Sequence, residues 1–328
     1  LEAGGVALGP ESMGAYPGPA CYDLGSQRPT LTDALLVAGM LNPDRFLGGR
    51  RRLSVERARQ ALAREVATPL GVSVETAAWR VIDEAVARVV ATATRFPSLG
   101  PGTALFAFGG NGANLAAAVA ERLGCAPAVV FRLGPVFSAF GSSLSMVRHI
   151  SESWPASSLE DPVARGRAAA LLEEAHQRMR RDLAGEGFDP ATARISAEVR
   201  LRDERGERRV ELDLTRPPGA ELERLARGDG RGVVLERMAL VGVCPVASYE
   251  PPRVDGERHR PTPIGRRSLH LATGEVDAEL FDWDALTAGA VVVGPAVLEA
   301  SANTCTVPPG WQLDLDGYGN GLLGPAEG

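Results

Sequence analysis

Apolar residues recur at helical spacing in three stretches of the first hundred positions. Over 30–41 (TLTDALLVAGML), Leu31, Leu35, Leu36 and Met40 form one stripe, with Thr30 or Thr32 placed to cap it. Ser54 precedes a second helix over 55–68. Ser73 precedes a third over 74–96, where Trp79, Ile82, Val86, Val89, Val90 and Ala93 return every three or four residues, and Pro97 and Gly100 close it. Upstream, segment 9–22 (GPESMGAYPGPACY) is too dense in proline and glycine for a helix or a central strand.

The period then changes. TALFAF (103–108) predicts a short buried strand, GGNGAN (109–114) a turn, and LAAAVAERLG (115–124) a helix of small residues stopped by Gly124. APAVVFRL (126–133) reads as the next strand and FSAFGSSLSMVRHI (137–150) as another helix. Strand, glycine turn, helix and strand in that order predict an α/β unit with a parallel sheet. A charged helix over 162–185 reads as a connector, and 195–214 alternates apolar and polar residues about an Arg-Gly turn, which predicts a hairpin. The stretch 236–328 is a series of short apolar runs parted by proline and glycine, and reads as β-rich. The expected organisation is an α/β lobe over 1–155, a connecting helix over 156–190 and a β-rich domain over 191–328.

Composition narrows the chemistry. The 328 residues are 45% hydrophobic and 23% charged, with a net charge of −6, which suits a soluble globular protein and argues against a partner made of nucleic-acid phosphates. No run of apolar residues is long enough to cross a membrane as a helix. All 35 basic residues are arginine. Without lysine there is no Schiff base, no Walker-type phosphate loop and no protein-kinase site. Cys21, Cys125, Cys244 and Cys305 lie far apart, which disfavours a zinc knuckle or redox dithiol and fits a reducing cytoplasm.

Several residues invite a chemical reading. Gly109, Gly110 and Gly112 lie between a strand and a helix, where bare backbone admits a ligand and the helix start offers free N–H groups. That suits a nucleotide, and it equally suits a plain tight turn. A dinucleotide fingerprint is incomplete, because the third glycine and the ribose-binding carboxylate are absent. Thr32 and Asp33 stand at a helix start, where a carboxylate can face a metal–phosphate group or simply offset the helix dipole. Cys21 with His149 is a conceivable nucleophilic pair without an assignable orienting group. Arg50, Arg51 and Arg52 suit an anionic partner or a solvated turn, and Trp311 suits packing.

Four blocks, in order, resemble the hydantoinase A/5-oxoprolinase family: 9–49 (GPESMGAYPGPACYDLGSQRPTLTDALLVAGMLNPDRFLGG), 106–124 (FAFGGNGANLAAAVAERLG), 134–149 (GPVFSAFGSSLSMVRH) and 294–320 (GPAVLEASANTCTVPPGWQLDLDGYGN). The resemblance implies a partial actin-like ATPase lobe (sugar-kinase/Hsp70/actin type) followed by a β-rich C-terminal domain. It implies ATP, with magnesium, used in cyclic-amide hydrolysis (hydantoinase, oxoprolinase) or ketone carboxylation. It also implies a B-type partner subunit, a further N-terminal lobe carrying phosphate loops, and an oligomeric assembly. The turn Gly110-Asn111-Gly112 and FGSS (140–143) are similar to the ketone-carboxylase branch. Where the family commonly has Gly-Pro-Leu-His, this chain has Gly112-Ala113-Asn114-Leu115.

On that resemblance, Gly109, Gly110, Asn111 and Gly112 would contact adenosine, Asn114 would reach ribose or base, and Thr32 and Asp33 would face phosphate or metal. The chain reads as the C-terminal part of such an enzyme, inactive without the other lobe. The alternative is a non-catalytic assembly subunit that has lost the nucleotide site.

Overall fold

A computed structural model describes residues 5–96, 102–228, 232–246 and 249–327. The chain forms two compact units, one from residues 1–140 with 251–328 and the other from 141–250. This division departs from the expected order of lobe, connector and β-rich domain, because the last segment returns to the first unit.

The first unit opens with α1 (Leu31–Val37), α2 (Val55–Leu62), a π-helical turn leading into α3 (Thr68–Leu70), and α4 (Val74–Ala93). Each predicted cap is made: Thr30 accepts from Thr32 N, Ser54 from Arg57 N and Ser73 from Thr76 N. The buried face of α4 is Ala77, Ala78, Val81, Ile82, Ala85 and Val86; Trp79 and Val90 of the expected stripe pack against the same core, while Val89 is exposed. Pro97 and Gly100, expected to end that helix, lie outside the described residues. Next come β1 (Leu105–Ala107), α5 (Gly112–Leu123), β2 (Ala128–Val130) and α6 (Phe137–Ser143). β1 and β2 pair in parallel, with α5 connecting them and Gly124 ending it in the left-handed region, as the glycine-stopped pattern predicts.

The second unit holds β3 (Val147–Ser153), β4 (Ser157–Ser158), α7 (Pro162–Gly185), β5 (Arg194–Asp203), β6 (Gly206–Leu212), α8 (Pro218–Gly228) and β7 (Val234–Cys244). Its antiparallel sheet runs β3-β7-β5-β6, with β4 beside β7. The predicted hairpin is β5–β6. Two expectations change here. The helix expected over 137–150 ends at Ser143, and Val147–Ser153 is a strand, because alternate residues turn inward and all seven pair with β7. The charged helix is not a free connector, since Leu172, Met179 and Leu183 of α7 pack into the second unit's core. α8 carries no prior expectation; its apolar side is Leu222 and Leu225.

The chain then adds β8 (Gly265–Leu271), β9 (Gly274–Asp282), β10 (Val291–Val293), β11 (Ala296–Glu299), β12 (Thr304–Val307), β13 (Trp311–Leu315) and β14 (Gly321–Pro325) to the first unit. One sheet runs β1-β2-β14-β13-β10 and a second β12-β11-β9-β8. Between them lies a core that includes Ala116, Val130, Phe281, Trp283, Leu298, Val307, Trp311 and Leu313. The short strand 103–108 is only half as buried as expected: Ala107 faces this core, while Phe106 and Phe108 are exposed.

Candidate functional site

The glycine turn stands at the carboxyl end of parallel strand β1, the usual place for a ligand in an α/β sheet. Gly109 takes φ +88° and donates its N–H to Gly134 O at 2.8 Å, which fixes the turn. A Cβ on Gly112 would sit 3.2 Å from the carbonyl carbon of Ala107, so α5 starts tight against β1. Gly110 is different. It is exposed, and a Cβ there would meet nothing within 4 Å. Asn111 occupies the cap position without a side-chain cap hydrogen bond, which leaves the helix start accessible.

Beside Gly110 and Asn111 lies a hollow also lined by Asn42, Arg45, Glu299 and Asn303. It encloses about 40 Å³. Small-molecule pockets typically occupy about 300–1,000 Å³, so the hollow by itself does not enclose a nucleotide. Its floor is a charged network. Glu299 is 3% exposed, ion-paired with Arg267, and accepts from Asn42 Nδ2 at 3.1 Å. Arg45 lies 3.7 Å from Glu299 and 3.6 Å from Asp282. The rim is pinned by Asn303 Nδ2 donating to Phe131 O at 3.0 Å and Ser301 N donating to Asp284 Oδ2 at 2.9 Å. Sequence reasoning missed Glu299, Arg267, Arg45 and Asn42. One signal was present: a carboxylate closing the apolar run AVLE, which is costly to bury without a cation beside it.

The remaining candidates do not join this hollow. Asp33 is fully buried and accepts from Ala20 N, Cys21 N, Thr30 N and the Thr30 hydroxyl. Its oxygens therefore hold the Gly-Pro-rich loop onto the start of α1, where Asp33 and Thr30 form a capping box. Thr32 is half-buried and donates its N–H to Thr30 Oγ1 at 3.2 Å. Asn114 is turned inward, 6% exposed, with Oδ1 accepting from Thr306 Oγ1 at 3.0 Å. Its Nδ2 is buried without a hydrogen-bond partner among the described residues.

The other sequence candidates are also accounted for. Burial, and then the Asp33 carboxylate, push the Cys21 thiol far above its ordinary range. His149 belongs to the second unit, where Nε2 lies 2.9 Å from Glu186, and the conceivable cysteine–histidine pair is not formed within either unit. Arg51 stacks 4.4 Å over the Tyr22 ring, Arg52 pairs with Asp44 at 2.8 Å, and Arg50 donates to Leu47 O, so the arginine run is used internally. Trp311 is buried, as its packing role predicts.

Among the described residues no group of three His, Cys, Asp or Glu side chains could hold a metal ion, and no helix is long and apolar enough to cross a membrane. In the hollow the carboxylate of Glu299 is engaged by Arg267 and Asn42. The backbone at Gly110 is exposed, with open space where a Cβ would lie.

The fold is mixed α/β, with several sheets and a glycine turn closing a parallel strand. The hydantoinase/oxoprolinase family profile matches residues 1–151, and the hydantoinase/oxoprolinase C-terminal domain profile matches residues 232–319. The chain belongs to the hydantoinase/oxoprolinase family. It is 30% identical to the acetophenone carboxylase gamma subunit of Aromatoleum aromaticum, covering 97% of this chain and 48% of that one. It is 29% identical to caprolactamase subunit alpha of Pseudomonas jessenii, covering 96% and 49%. Acetone carboxylase in its nucleotide-free structure overlays with a TM-score of 0.79 at 26% identity, covering 98% of this chain and 50% of that chain. The chain thus spans about half the length of the curated relatives it matches.

Proposed function

We propose that this chain forms part of the nucleotide-binding portion of an ATP-dependent enzyme acting on a cyclic amide or an enolisable ketone. The observation that carries the reading is the bare, exposed Gly110 at the end of a parallel strand, with an open hollow beside it. Gly109, Gly110, Asn111 and Gly112 would present backbone to adenosine. Arg45 and Asn111 would line the same wall, and the paired Glu299 would hold Arg45 in place. When bound, ATP supplies the phosphoryl group that makes a carbonyl oxygen reactive. This chain's residues would seat the purine end, and the phosphate and metal end would be completed by groups outside the described residues. An actin-like arrangement of two lobes, a B-type partner subunit and a cytoplasmic setting complete the proposal. The names of the relatives support it: a carboxylase gamma subunit, an acetone carboxylase beta subunit and a caprolactamase alpha subunit.

A second reading is a non-catalytic assembly subunit. The small volume of the hollow and the inward turn of Asn114 favour it. Calorimetric titration with ATP and ADP decides between them. Gly110→Glu is the informative variant, because space around that Cβ is open and the fold should survive. Saturable binding abolished by Gly110→Glu supports the nucleotide reading. Absence of binding at millimolar nucleotide, even with the remaining part of the family's length supplied, refutes it and leaves the assembly subunit.

A further inference from the structure

We infer, resting on the nucleotide reading above, that Arg45 is the anion-binding side chain of the hollow beside Gly110. It takes an oxyanion of the ligand, phosphate or carboxylate, and gives this chain a charged contact that bare glycine backbone does not provide.

Glu299 has its counter-ion without Arg45. One carboxylate oxygen is ion-paired with Arg267, itself largely buried, and the other accepts from Asn42 Nδ2 at 3.1 Å. Arg45 stands outside this pair. Its guanidinium lies 3.7 Å from Glu299 and 3.6 Å from Asp282, near enough for attraction between charges and too far for a hydrogen bond. Among the described residues its side chain forms no hydrogen bond, and 46% of it is exposed where it lines the hollow with Gly110 and Asn111. The arginines that follow it in the same segment are occupied: Arg50 donates to Leu47 O, Arg51 stacks on Tyr22 and Arg52 pairs with Asp44 at 2.8 Å. A planar fork of uncommitted donors beside a hollow suits bidentate recognition of a phosphate or carboxylate.

The turn that carries Arg45 is fixed by its own backbone. Gly48 N donates to Arg45 O and Gly49 N to Phe46 O, both at 3.1 Å. Leu47 is held at φ +53°, a left-handed conformation that residues with a Cβ avoid, and its half-exposed side chain lines the same hollow. Strain of this kind persists only where the surrounding structure imposes it, and it gathers at ligand clamps. A Cβ on Gly48 would lie 3.3 Å from Ser301 O, so the turn also abuts the loop at 300–304 that completes the lining. A loosely held cation, an apolar side chain and bare backbone thus share one hollow, the complement of a ligand whose anionic group adjoins a flat apolar part. Binding exchanges the two long contacts of Arg45 for hydrogen bonds, and Glu299 keeps Arg267 and Asn42 throughout.

The test is calorimetric titration of the full chain with ADP, adenosine, pyrophosphate and 5-oxoproline. ADP should bind more tightly than adenosine, and Arg45→Met should weaken ADP about tenfold to a hundredfold while leaving adenosine unchanged. Arg45→Lys keeps the charge without the fork and should fall between wild type and Arg45→Met. The urea midpoint of Arg45→Met should equal that of wild type, and Arg88→Met, which removes the pair with Glu84 on α4, should leave every affinity unchanged. A loss confined to 5-oxoproline supports the inference with a carboxylate as the oxyanion. Affinities for ADP, pyrophosphate and 5-oxoproline that Arg45→Met leaves unchanged, while ADP binding is still lost on Gly110→Glu, overturn this inference alone. So does a midpoint that falls with Arg45→Met, which makes Arg45 part of the structural ion pair. Pyrophosphate or 5-oxoproline bound through Arg45 without binding of ADP or adenosine refutes the nucleotide reading alone. Binding of none of the four probes refutes both.

Discussion

Replacing Asp33 by alanine separates the two roles its position allows. The carboxylate accepts from Ala20 N at 3.1 Å, Cys21 N at 2.7 Å, Thr30 N at 2.7 Å and Thr30 Oγ1 at 2.9 Å. Alanine leaves those backbone N–H groups without their acceptor in a fully buried corner. Each buried donor left unpaired costs about 1–3 kcal/mol. The losses share one loop, which relaxes as a whole, so they do not sum in full. The expected total is about 3–5 kcal/mol, comparable with other broken buried networks. Hydrogen exchange at the amides of Ala20 and Cys21 reads this directly, because a loss of about 3 kcal/mol in local stability speeds exchange roughly a hundredfold. The urea midpoint of the first unit should fall as well. Asp33→Asn keeps one acceptor oxygen and should fall between wild type and alanine. A variant with unchanged exchange and midpoint that nevertheless loses ligand binding would place the carboxylate in the ligand site and refute its role as a cap.

Arg267→Ala removes the nearest cation from Glu299, which is 3% exposed, and should cost about 3–5 kcal/mol in urea denaturation; a loss below about 1 kcal/mol would mean that Arg45 and Asn42 satisfy the carboxylate alone. Glu221 in α8 is held below its ordinary range chiefly by the hydrogen bond from Arg224, with burial opposing. Its folded value is therefore lower than its unfolded value, and the stabilisation present above the ordinary value of 4.5 is lost as pH falls through the folded value. The stability difference between wild type and Glu221→Gln should accordingly shrink on acidification, and a difference independent of pH would contradict the ion pairing. All four cysteines are free and buried, burial pushes the Cys305 thiol up to about 12, and a thiol reagent at about pH 8 should label none of them before unfolding; rapid labelling of Cys21 or Cys305 in the native chain would contradict that packing.

The parts of this protein legible in the sequence are those whose cause is local. Thr30, Ser54 and Ser73 cap helices through hydrogen bonds within three residues, and Gly124 ends α5 for want of a Cβ. The strand, glycine turn and helix at 105–123 follow from period and backbone freedom over fewer than about twenty residues. The family blocks were legible for the same reason, as contiguous strings of residues.

Tertiary structure decided what depends on distant partners. Residues 147–153 are a strand because β7, some ninety positions later, supplies the ladder that a small-residue helix would forgo. The C-terminal strands belong with the first unit because Leu323 of β14 is paired with Ala128 of β2. Asp33 became a cap when the loop at Ala20 and Cys21 closed over it, and Asn114 turned inward when Thr306 offered its hydroxyl. The floor of the hollow joins Asn42 to Glu299 across 257 positions. Local order needs only the rotamers and hydrogen bonds of neighbouring residues, whereas a buried ion pair or a sheet edge exists only after the chain has closed on itself.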